Sequence, residues 1–369
     1  MANPHLVCIV GARPNFMKMA PLLRALERHP EVRVTLVHTG QHYDANLSQI
    51  FFDEIGMRAP DVSLEVGSGK HGAQTARILE RFEEYLEPAI KNEGVSRVVV
   101  VGDVNSTLAC TLVAAKLHVP VAHVEAGLRS FDRTMPEEIN RIVTDALCDR
   151  LLVSEPDGMK NLRAEGRPES CLHLVGNIMI DTLFEMLPKA KEQPILRDLE
   201  LAPGTYGVVT LHRPANVDEP EALKLLVNVL CKVSARMPLV FAVHPRTQER
   251  LKNFGLDQNL AAARAIRVLG PQGYLPFLAL TSQAKCIITD SGGLQEESTA
   301  LGVPCLTMRP NTERPITVTE GTSTLVGSDT VLLEKLLGDV IDGKYKSGKR
   351  PELWDGQAAR RMAAILAAG

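Results

Sequence analysis

The chain has 369 residues, of which 45% are hydrophobic and 23% charged, and its formal net charge is −3. The length favours two domains, and the small negative charge gives no reason to expect nucleic acid or an anionic membrane as a partner. The seven cysteines are spread singly, without a CxxC pair, which argues against a disulfide framework and a zinc site. No run is apolar enough to span a bilayer, and the N-terminal apolar run is too short for a signal peptide, so we expect a cytoplasmic protein.

Short apolar runs predict the strands of two successive domains. In the first half of the chain they lie at residues 6–10, 32–37, 97–101, 121–124, 151–153 and 172–175. In the second half they lie at residues 206–211, 239–243, 266–269, 286–288, 304–307 and 324–326. Helical spacing follows most of these runs, whereas residues 56–70 are predicted as a long exposed loop. The alternation predicts an α/β fold with two Rossmann-like, doubly wound parallel sheets.

Residues 188–205 are predicted to connect the two domains, because they contain three prolines and mixed charge without a clean period. We therefore expect an N-terminal Rossmann-like domain over residues 1–187 and a C-terminal one over residues 188–354. The alanine-rich helix at 355–369 is expected to dock back onto the first domain.

Three carboxylates fall at strand ends or helix starts in the first half. Asp103 and Glu125 follow two of the predicted strands, and Glu137 opens a helix directly after a proline. Because ligands of open α/β sheets bind outside the carboxyl ends of the strands, these acids are expected on one functional rim. The alternative is that Glu137 and Glu138 only complement the helix dipole. Asn105 is predicted to cap the helix that follows Asp103.

A strand, a small-residue turn and a helix start meet at residues 289–297. Gly292 and Gly293 would let the backbone approach a ligand, and Ser291 with the first free N–H groups of the helix would donate to a phosphate. A tight packing turn is the alternative. Glu296 and Glu297, which we expect in the first turn, would repel a phosphate unless they bind something else, such as sugar hydroxyls.

Cations accompany similar positions elsewhere. Arg13 and Lys18 follow the first predicted strand, where they would contact an anion or serve as ordinary surface cations. His212 ends a strand of the second half, and a structural role is the alternative to a catalytic one. His38 and His42 are four residues apart, but no further ligand has suitable spacing, so no metal site is predicted.

The order of short motifs along the chain is the most specific signal in the sequence. The motifs are GARPNFMKMAPL from Gly11, GQH from Gly40, GDVNSTLA from Gly102, HVEAGLRS from His123, PEEINR from Pro136, GN at Gly176, LHRPAN from Leu211, HPRT from His244, GPQGYLPF from Gly270, TDSGGLQEE from Thr289 and TERP from Thr312. In this respect the chain resembles, nearly end to end, the non-hydrolysing UDP-N-acetylglucosamine 2-epimerases. The resemblance implies a GT-B architecture with two domains facing a cleft, the second of them nucleotide-binding. It also implies a UDP-sugar substrate, a homodimer, and no cofactor or metal.

The resemblance also implies roles for individual residues. The catalytic positions are Asp103, Glu125, Glu137 and His212. The substrate-binding positions are Arg13 and Lys18 near the diphosphate, Gln272 and Phe277 at the uracil, Ser291, Gly292 and Gly293 at the diphosphate, Glu297 at the ribose and Arg314 at the phosphates. The possible allosteric positions are Gln41, His42, Arg213 and His244.

The reaction of the family eliminates UDP to give a 2-acetamidoglucal and adds it back after C2 is reprotonated on the other face. It needs a base and a separate acid, and the resemblance leaves open which carboxylate serves as which. The product would be UDP-ManNAc for surface polysaccharide. Many relatives have a glutamate where this chain has Asn15, and another where it has Ala215, while Asp44 replaces a common glutamine.

Four other functions stay open at this stage. They are 2-epimerisation of another UDP-2-acetamido sugar, such as a 2,3-diacetamido uronic acid sugar; hydrolytic epimerisation that releases ManNAc and UDP; GT-B glycosyl transfer; and non-enzymatic sensing of a sugar nucleotide.

Overall fold

The computed structural model describes residues 3–41 and 55–368. The chain divides into two compact units, one formed by Met1–Phe184 with Glu352–Gly369 and the other by Glu185–Pro351. Each unit is an α/β domain around one parallel sheet, of seven strands in the first and six in the second. The predicted fold class, two Rossmann-like doubly wound parallel-sheet domains, is thereby confirmed.

The first sheet has the strand order β3-β2-β1-β4-β5-β6-β7. Its strands are β1 (His5–Val10), β2 (Arg33–His38), β3 (Val62–Ser63), β4 (Arg97–Val101), β5 (Val121–Ala126), β6 (Arg150–Val153) and β7 (Leu172–Leu174). The helices around it are α1 (Arg13–Leu26), α2 (His71–Glu93), α3 (Asn105–Lys116), α4 (Pro136–Leu147), α5 (Pro156–Ala164) and α6 (Ile178–Lys191). The central strands are runs of Val, Ile and Leu because helices cover both faces of the sheet.

The second sheet has the strand order β10-β9-β8-β11-β12-β13. Its strands are β8 (Gly207–Thr210), β9 (Leu239–Ala242), β10 (Ile266–Leu269), β11 (Cys286–Thr289), β12 (Cys305–Thr307) and β13 (Ser323–Leu325). The helices are α7 (Ile195–Asp198), α8 (Pro214–Val217), α9 (Pro220–Ser234), α10 (Pro245–Asn253), α11 (Asp257–Ala262), α12 (Tyr274–Ser282), α13 (Gly292–Leu301), α14 (Pro315–Thr319) and α15 (Thr330–Ile341).

The C-terminal helix, α16 (Ala358–Ala367), belongs to the first unit and packs on α1. The Asp181 carboxylate accepts the N–H groups of Ala358 and Ala359 and so holds the beginning of this helix. The stretch expected to connect the domains is more ordered than predicted. Helix α6 continues through residue 191, across the limit between the units, and α7 follows it.

Several local predictions differ from the structure. Residues 56–70 contain β3, which pairs through Val62 with β2. Helices α10, α11 and α14 occupy stretches for which no helix was predicted. Asn105 is the first residue of α3, and Val104 is the N-cap. The side-chain amide of Asn105 donates to Gln74 Oε1 at 2.9 Å. None of the described helices is long and apolar enough to cross a membrane.

Each sheet has one topological switch point, where the strand order reverses. In the first unit β1 lies between β2 and β4, and in the second β8 lies between β9 and β11. Chain connections leave such a point in opposite directions, which opens a crevice at the carboxyl ends of the two strands. The residues after β1 and β4, and those after β8 and β11, are therefore the places to look for a site.

Candidate active site

Asn15 fixes the backbone at the switch point of the first unit. Its Oδ1 accepts the N–H groups of Gly11 and Ala12, both at 3.1 Å, and its Nδ2 donates to the carbonyl of Val101 at 3.0 Å. One buried side chain therefore fastens the turn after β1 to the end of β4. An amide can do this because it both donates and accepts, which an ionised glutamate cannot.

Lys18 and Glu125 form an ion pair beside Asn15. Lys18 Nζ contacts Glu125 Oε2, and both side chains are largely buried, with 11% and 5% of their surface exposed. Beneath them is Gly102, with φ at +68°. A Cβ on Gly102 would meet Lys18 Nζ at 3.3 Å and both Asn15 Nδ2 and Glu125 Oε2 at 3.5 Å. The structure thus brings together Lys18 and Glu125, two of the predicted site residues.

Glu125 has an unusual backbone. Its φ is +75°, and the register between β5 and β6 shifts between Val124 and Ala126. A non-glycine residue in this region costs about 1–3 kcal/mol and persists only when its surroundings hold it, most often at functional sites. The bulge directs the Glu125 side chain out of the regular alternation of the strand.

A buried network lies next to this strand end. His123 Nδ1 is 2.6 Å from Asp145 Oδ1, and its Nε2 is 2.8 Å from the carbonyl oxygen of Gly102. Asp145 also accepts the N–H of Gly127 and is 2.8 Å from Arg129 Nη1. Burial opposes ionisation of Asp145, but the charges and hydrogen bonds of His123 and Arg129 lower its pKa. The network thereby holds Gly102, after β4, and Gly127, after β5, on either side of the Glu125 position.

Asp103 is paired with Arg141 from α4. The two side chains approach to 2.5 Å, and Asp103 is one-third exposed. Arg141 also binds Glu138, at 2.6 Å, and Glu138 accepts the N–H groups of Ser130 and Phe131. Burial opposes ionisation of Glu138, but these N–H groups and the guanidinium lower its pKa. Glu138 therefore organises the loop before α4 and does not merely complement the helix dipole.

Glu137 lies in the first turn of α4 and is half-buried. No ion pair joins it to another side chain within residues 3–41 and 55–368. It differs in this from Asp103 and Glu125, which each contact a cation.

The predicted allosteric residues of the first unit have different surroundings. Gln41 is buried, and its Oε1 accepts the N–H and hydroxyl of Ser106 at the start of α3. His42 lies outside the described residues, as does the side chain of Arg13, whose backbone begins α1.

His212 and Asp290 form the centre of the switch point of the second unit. His212 Nδ1 lies 2.9 Å from Asp290 Oδ1, and Asp290 is fully buried. Asp290 also accepts the N–H groups of His212 and Arg213 and the amide of Asn216. Burial opposes ionisation of Asp290, but these donors lower its pKa.

Two predicted allosteric residues adjoin this pair. The ring of His244 lies 5.5 Å from that of His212, measured between centroids. Partial burial lowers the pKa of His244, and the charges of His212 and Arg246 act in the same direction. Arg213 donates from Nε to the carbonyl of Asp290 at 3.3 Å. The structure therefore places both beside His212.

The turn at residues 291–293 begins α13, with Ser291 as N-cap and Gly292 and Gly293 as the first helical residues. Glu313 lies against it: a Cβ on Gly292 would be 2.6 Å from Glu313 Oε1. Glu313 is paired with Arg309 at 2.9 Å. Burial opposes ionisation of Glu313, but the charges of Arg309 and Arg314 lower its pKa to about 2.

The two acids of α13 are not in its first turn, and that prediction is wrong because the helix already begins at Gly292. Glu296 pairs with Arg314 at 2.6 Å. Glu297 accepts a hydrogen bond from the hydroxyl of Tyr274 at 3.3 Å. Burial raises the pKa of Glu297 to about 7. The charge of Glu296 also raises this pKa, whereas the Tyr274 hydroxyl lowers it.

The residues predicted to bind uracil lie just before α12 and on it. Gln272 is exposed and donates to the carbonyl of Gly270, and Phe277 is half-buried on α12. Tyr274 begins the same helix and donates its hydroxyl to Glu297.

Sequence reasoning did not identify Asp290, Asn216, Arg141 or Asn15 as partners of site residues. For Asp290 the sequence did contain a signal, because it directly follows the apolar run of β11. Asp103 follows the apolar run of β4 in the same way. Nothing in the sequence indicates that Arg141 pairs with Asp103, 38 positions earlier.

Comparisons with known proteins agree with this picture. The family model described as UDP-N-acetylglucosamine 2-epimerase matches residues 24–367. A UDP-N-acetylglucosamine 2-epimerase of Methanocaldococcus jannaschii is 41% identical over 366 residues, covering 98% of each chain. A UDP-2,3-diacetamido-2,3-dideoxy-D-glucuronate 2-epimerase of Pseudomonas aeruginosa is 39% identical, covering 98% of this chain and 99% of the other.

Among solved structures, the crystal structure of Methanocaldococcus jannaschii UDP-GlcNAc 2-epimerase in complex with UDP-GlcNAc and UDP superposes with a TM-score of 0.86. It is 40% identical, and the match covers 99% of this chain and all of the other. The family model and the relatives extend over nearly the whole chain and both units. The chain belongs to the UDP-N-acetylglucosamine 2-epimerase family.

Proposed function

We propose that the protein interconverts UDP-GlcNAc and UDP-ManNAc by eliminating UDP and adding it back through a 2-acetamidoglucal. The observation that carries the proposal is the set of acids on the first unit. Asp103 follows β4, Glu125 lies near the end of the neighbouring β5, and each contacts a cation. Glu137 opens the helix that follows β5. A reaction that moves a proton on and off both faces of one carbon requires at least two separate carboxyl groups.

In the elimination, a carboxylate of this set takes the proton from C2. The C2–H electrons form the C1=C2 double bond, and the electrons of the C1–O bond leave with UDP. In the addition, a second carboxyl group protonates C2 from the opposite face, and a phosphate oxygen of UDP reattaches to C1. Arg141 contacts Asp103, and Lys18 contacts Glu125, so each of these carboxylates is held in place by a cation.

The second unit supplies the groups suited to the leaving diphosphate. The turn at Ser291–Gly293 presents N–H groups at the beginning of a helix, which favours an anion. His212 follows β8, which pairs with β11, the strand before this turn. The charge of Arg314 helps to lower the pKa of Glu313, which lies against the same turn. Negative charge developing on the leaving oxygens is stabilised by donors that are already in place. Glu297 is proposed to bind the ribose hydroxyls, and Gln272 and Phe277 the uracil.

A relative of nearly equal identity acts, by its name, on a different sugar, and this favours one second candidate. Epimerisation of UDP-2,3-diacetamido-2,3-dideoxy-D-glucuronate would use the same C2 chemistry. The sugar then carries a carboxylate and a second acetamido group.

Proton NMR in deuterated water separates these functions. With UDP-GlcNAc we expect UDP-ManNAc, with deuterium at C2 of both sugars at equilibrium. Free ManNAc with UDP would instead identify a hydrolysing epimerase, and turnover of the diacetamido uronate alone would identify the second candidate. Absence of turnover with every one of these sugars at high enzyme concentration would refute the proposal.

The family resemblance further supports a homodimer that works in the cytoplasm and provides UDP-ManNAc for polysaccharide biosynthesis. Sedimentation equilibrium of the purified protein tests the oligomeric state: a single species with the 40.3 kDa mass of one chain would contradict the dimer.

A further inference from the structure

Asp290, the residue after β11, accepts several hydrogen bonds. It is fully buried, and its Oδ1 is 2.9 Å from His212 Nδ1. Its Oδ2 accepts the N–H groups of His212 and Arg213, at 3.0 and 2.9 Å, and the amide of Asn216 at 2.9 Å. All of these partners are donors, so the arrangement fits a carboxylate that only accepts.

The consequence for His212 concerns its tautomer. A ring nitrogen that lies 2.9 Å from a carboxylate oxygen carries a proton, because two lone pairs at that distance would repel each other. Nε2 is then the nitrogen available to a ligand, since no bond joins it to another side chain in the described part of the protein. The ring is 38% exposed, so a ligand can reach it.

The remaining contacts make this orientation rigid. Asn216 donates to Asp290 and also to the carbonyl of Met308, so it ties α8 to the end of β12. Strands β8 and β11 are neighbours in register, with Thr210 opposite Thr289. Asp290 and His212 therefore stand just beyond paired strand ends, and little freedom is left to the imidazole.

We propose that Asp290 is a positioning residue that holds His212 in the Nδ1–H tautomer and directs Nε2 toward the leaving diphosphate. The role in the reaction rests on the proposed function, whereas the tautomer does not. No bond is made or broken at Asp290. Nε2 first takes up a proton from water, after which Nε2–H donates a hydrogen bond to the leaving oxygen and the charge of the ring lies against the Asp290 carboxylate.

A purely structural role is the competing explanation, because Asp290 also holds the backbone after β8. The variant Asp290→Asn separates the two. An asparagine keeps an oxygen for the N–H groups of His212 and Arg213, but its amide can donate to an unprotonated Nδ1. The tautomer is then no longer enforced, as in catalytic triads where the same replacement leaves the geometry intact and still reduces kcat.

The first measurement is the ¹⁵N spectrum of histidine-labelled protein, in which the His212 signals are identified by their absence in His212→Gln. We expect Nδ1–H in the wild type, and loss of that preference in Asp290→Asn. An Nε2–H tautomer in the wild type would overturn the proposal, whatever the variants do and whichever sugar the enzyme uses.

The second measurement is steady-state kinetics with UDP binding by calorimetry. For Asp290→Asn we expect kcat to fall by about 100-fold or more, while the Kd for UDP changes less than about threefold. Asp218→Asn is the matched control, since Asp218 follows α8 and is paired only with Arg246 and Arg250 among the described side chains. It should keep both kcat and tautomer.

The outcomes are separable. If Asp290→Asn and Asp218→Asn lose kcat equally, or if Asp290→Asn only weakens UDP binding, the positioning role is wrong. If Asp290→Asn does not fold, the wild-type spectrum still decides the tautomer. If the wild type turns over none of the sugars yet shows Nδ1–H at His212, the proposed function fails and the pairing stands.

Discussion

Lys18 and Glu125 contact each other over Gly102, so the cation expected at the diphosphate is instead paired with a carboxylate that we propose to be catalytic. The pair is nearly buried, and Glu125 has φ at +75°. Lys18 therefore stabilises both the charge and the position of a carboxylate whose backbone is strained. If Glu125 transfers a proton as proposed, Lys18 supports that step, which the family resemblance alone does not indicate.

The first prediction concerns Lys18→Met. The change removes a cation that contacts the buried Glu125 carboxylate, so kcat should fall by about 100-fold, and the free energy of unfolding by about 3 kcal/mol. The Kd for UDP should change little. A double-mutant cycle with Glu125→Gln, measured by denaturant unfolding, should show strong coupling. Unchanged kcat with a raised Kd for UDP would place Lys18 on the diphosphate instead.

The second prediction compares Gly102→Ala with Gly94→Ala. The two glycines have almost the same φ, +68° and +67°, so each alanine should cost about 1 kcal/mol of unfolding free energy. A Cβ at 102 would press on Lys18 Nζ at 3.3 Å and touch Glu125 Oε2 at 3.5 Å, whereas one at 94 meets nothing within 4 Å. Only Gly102→Ala should therefore lose activity. Equal activity in the two variants would show that the acids tolerate displacement.

The rim of acids could be predicted from sequence because it depends on local patterns. An apolar run followed by Gly102-Asp103, or by Glu125, identifies the end of a buried strand, and parallel strands bring such ends to one edge. The same reasoning identified the turn at 291–293. The family resemblance supplied the remaining predictions for the site, namely which residue is assigned to which part of the substrate.

The partners of the site residues could not be predicted, because they depend on side chains that meet only after folding. Arg141 reaches Asp103 from another helix, and Asp290 reaches His212 across neighbouring strands. The beginning of α13 was misjudged for a local reason. Its two glycines were assigned to the turn, but they are the first helical residues, which moves Glu296 and Glu297 out of the first turn.

The third prediction concerns the pH dependence of stability. Burial raises the pKa of Glu297 to about 7 in the folded protein, from 4.5 for a glutamate exposed to water. Its ionisation is thus costly when folded, and this cost is absent below about pH 4.5, grows between pH 4.5 and 7, and is complete above pH 7. Glu297→Gln should therefore stabilise the second unit at pH 8, by an amount on the order of 3 kcal/mol, and have little effect at pH 4.5.

Urea unfolding of the wild type and Glu297→Gln at the two pH values measures this difference. Glu296→Gln is the control, because it weakens the ion pair with Arg314 and should destabilise the protein at pH 8. If Glu297→Gln destabilises at pH 8 as well, Glu297 is not the source of the ionisation cost. Weaker UDP binding by Glu297→Gln would independently support a contact with the ribose.

The fourth prediction separates the two glycines of the α13 turn. A Cβ at Gly292 would lie 2.6 Å from Glu313 Oε1, so Gly292→Ala should displace Glu313 from Arg309 and reduce stability. A Cβ at Gly293 meets nothing within 4 Å, and alanine is a better helix residue by about 0.5–1 kcal/mol. Gly293→Ala should therefore unfold at the same temperature as the wild type or a higher one.

The two variants differ in stability but should agree in binding. If the diphosphate lies against the N–H groups of this turn, a methyl group at 293 blocks its approach, and the Kd for UDP measured by calorimetry should rise at least tenfold in a protein that is fully folded. Binding of UDP by Gly293→Ala with wild-type affinity would place the diphosphate elsewhere in the second unit. Gly293→Ala is expected to keep the fold, and Gly292→Ala to perturb it. A loss of UDP affinity in both variants would therefore come from the blocked contact with UDP and not from lower stability.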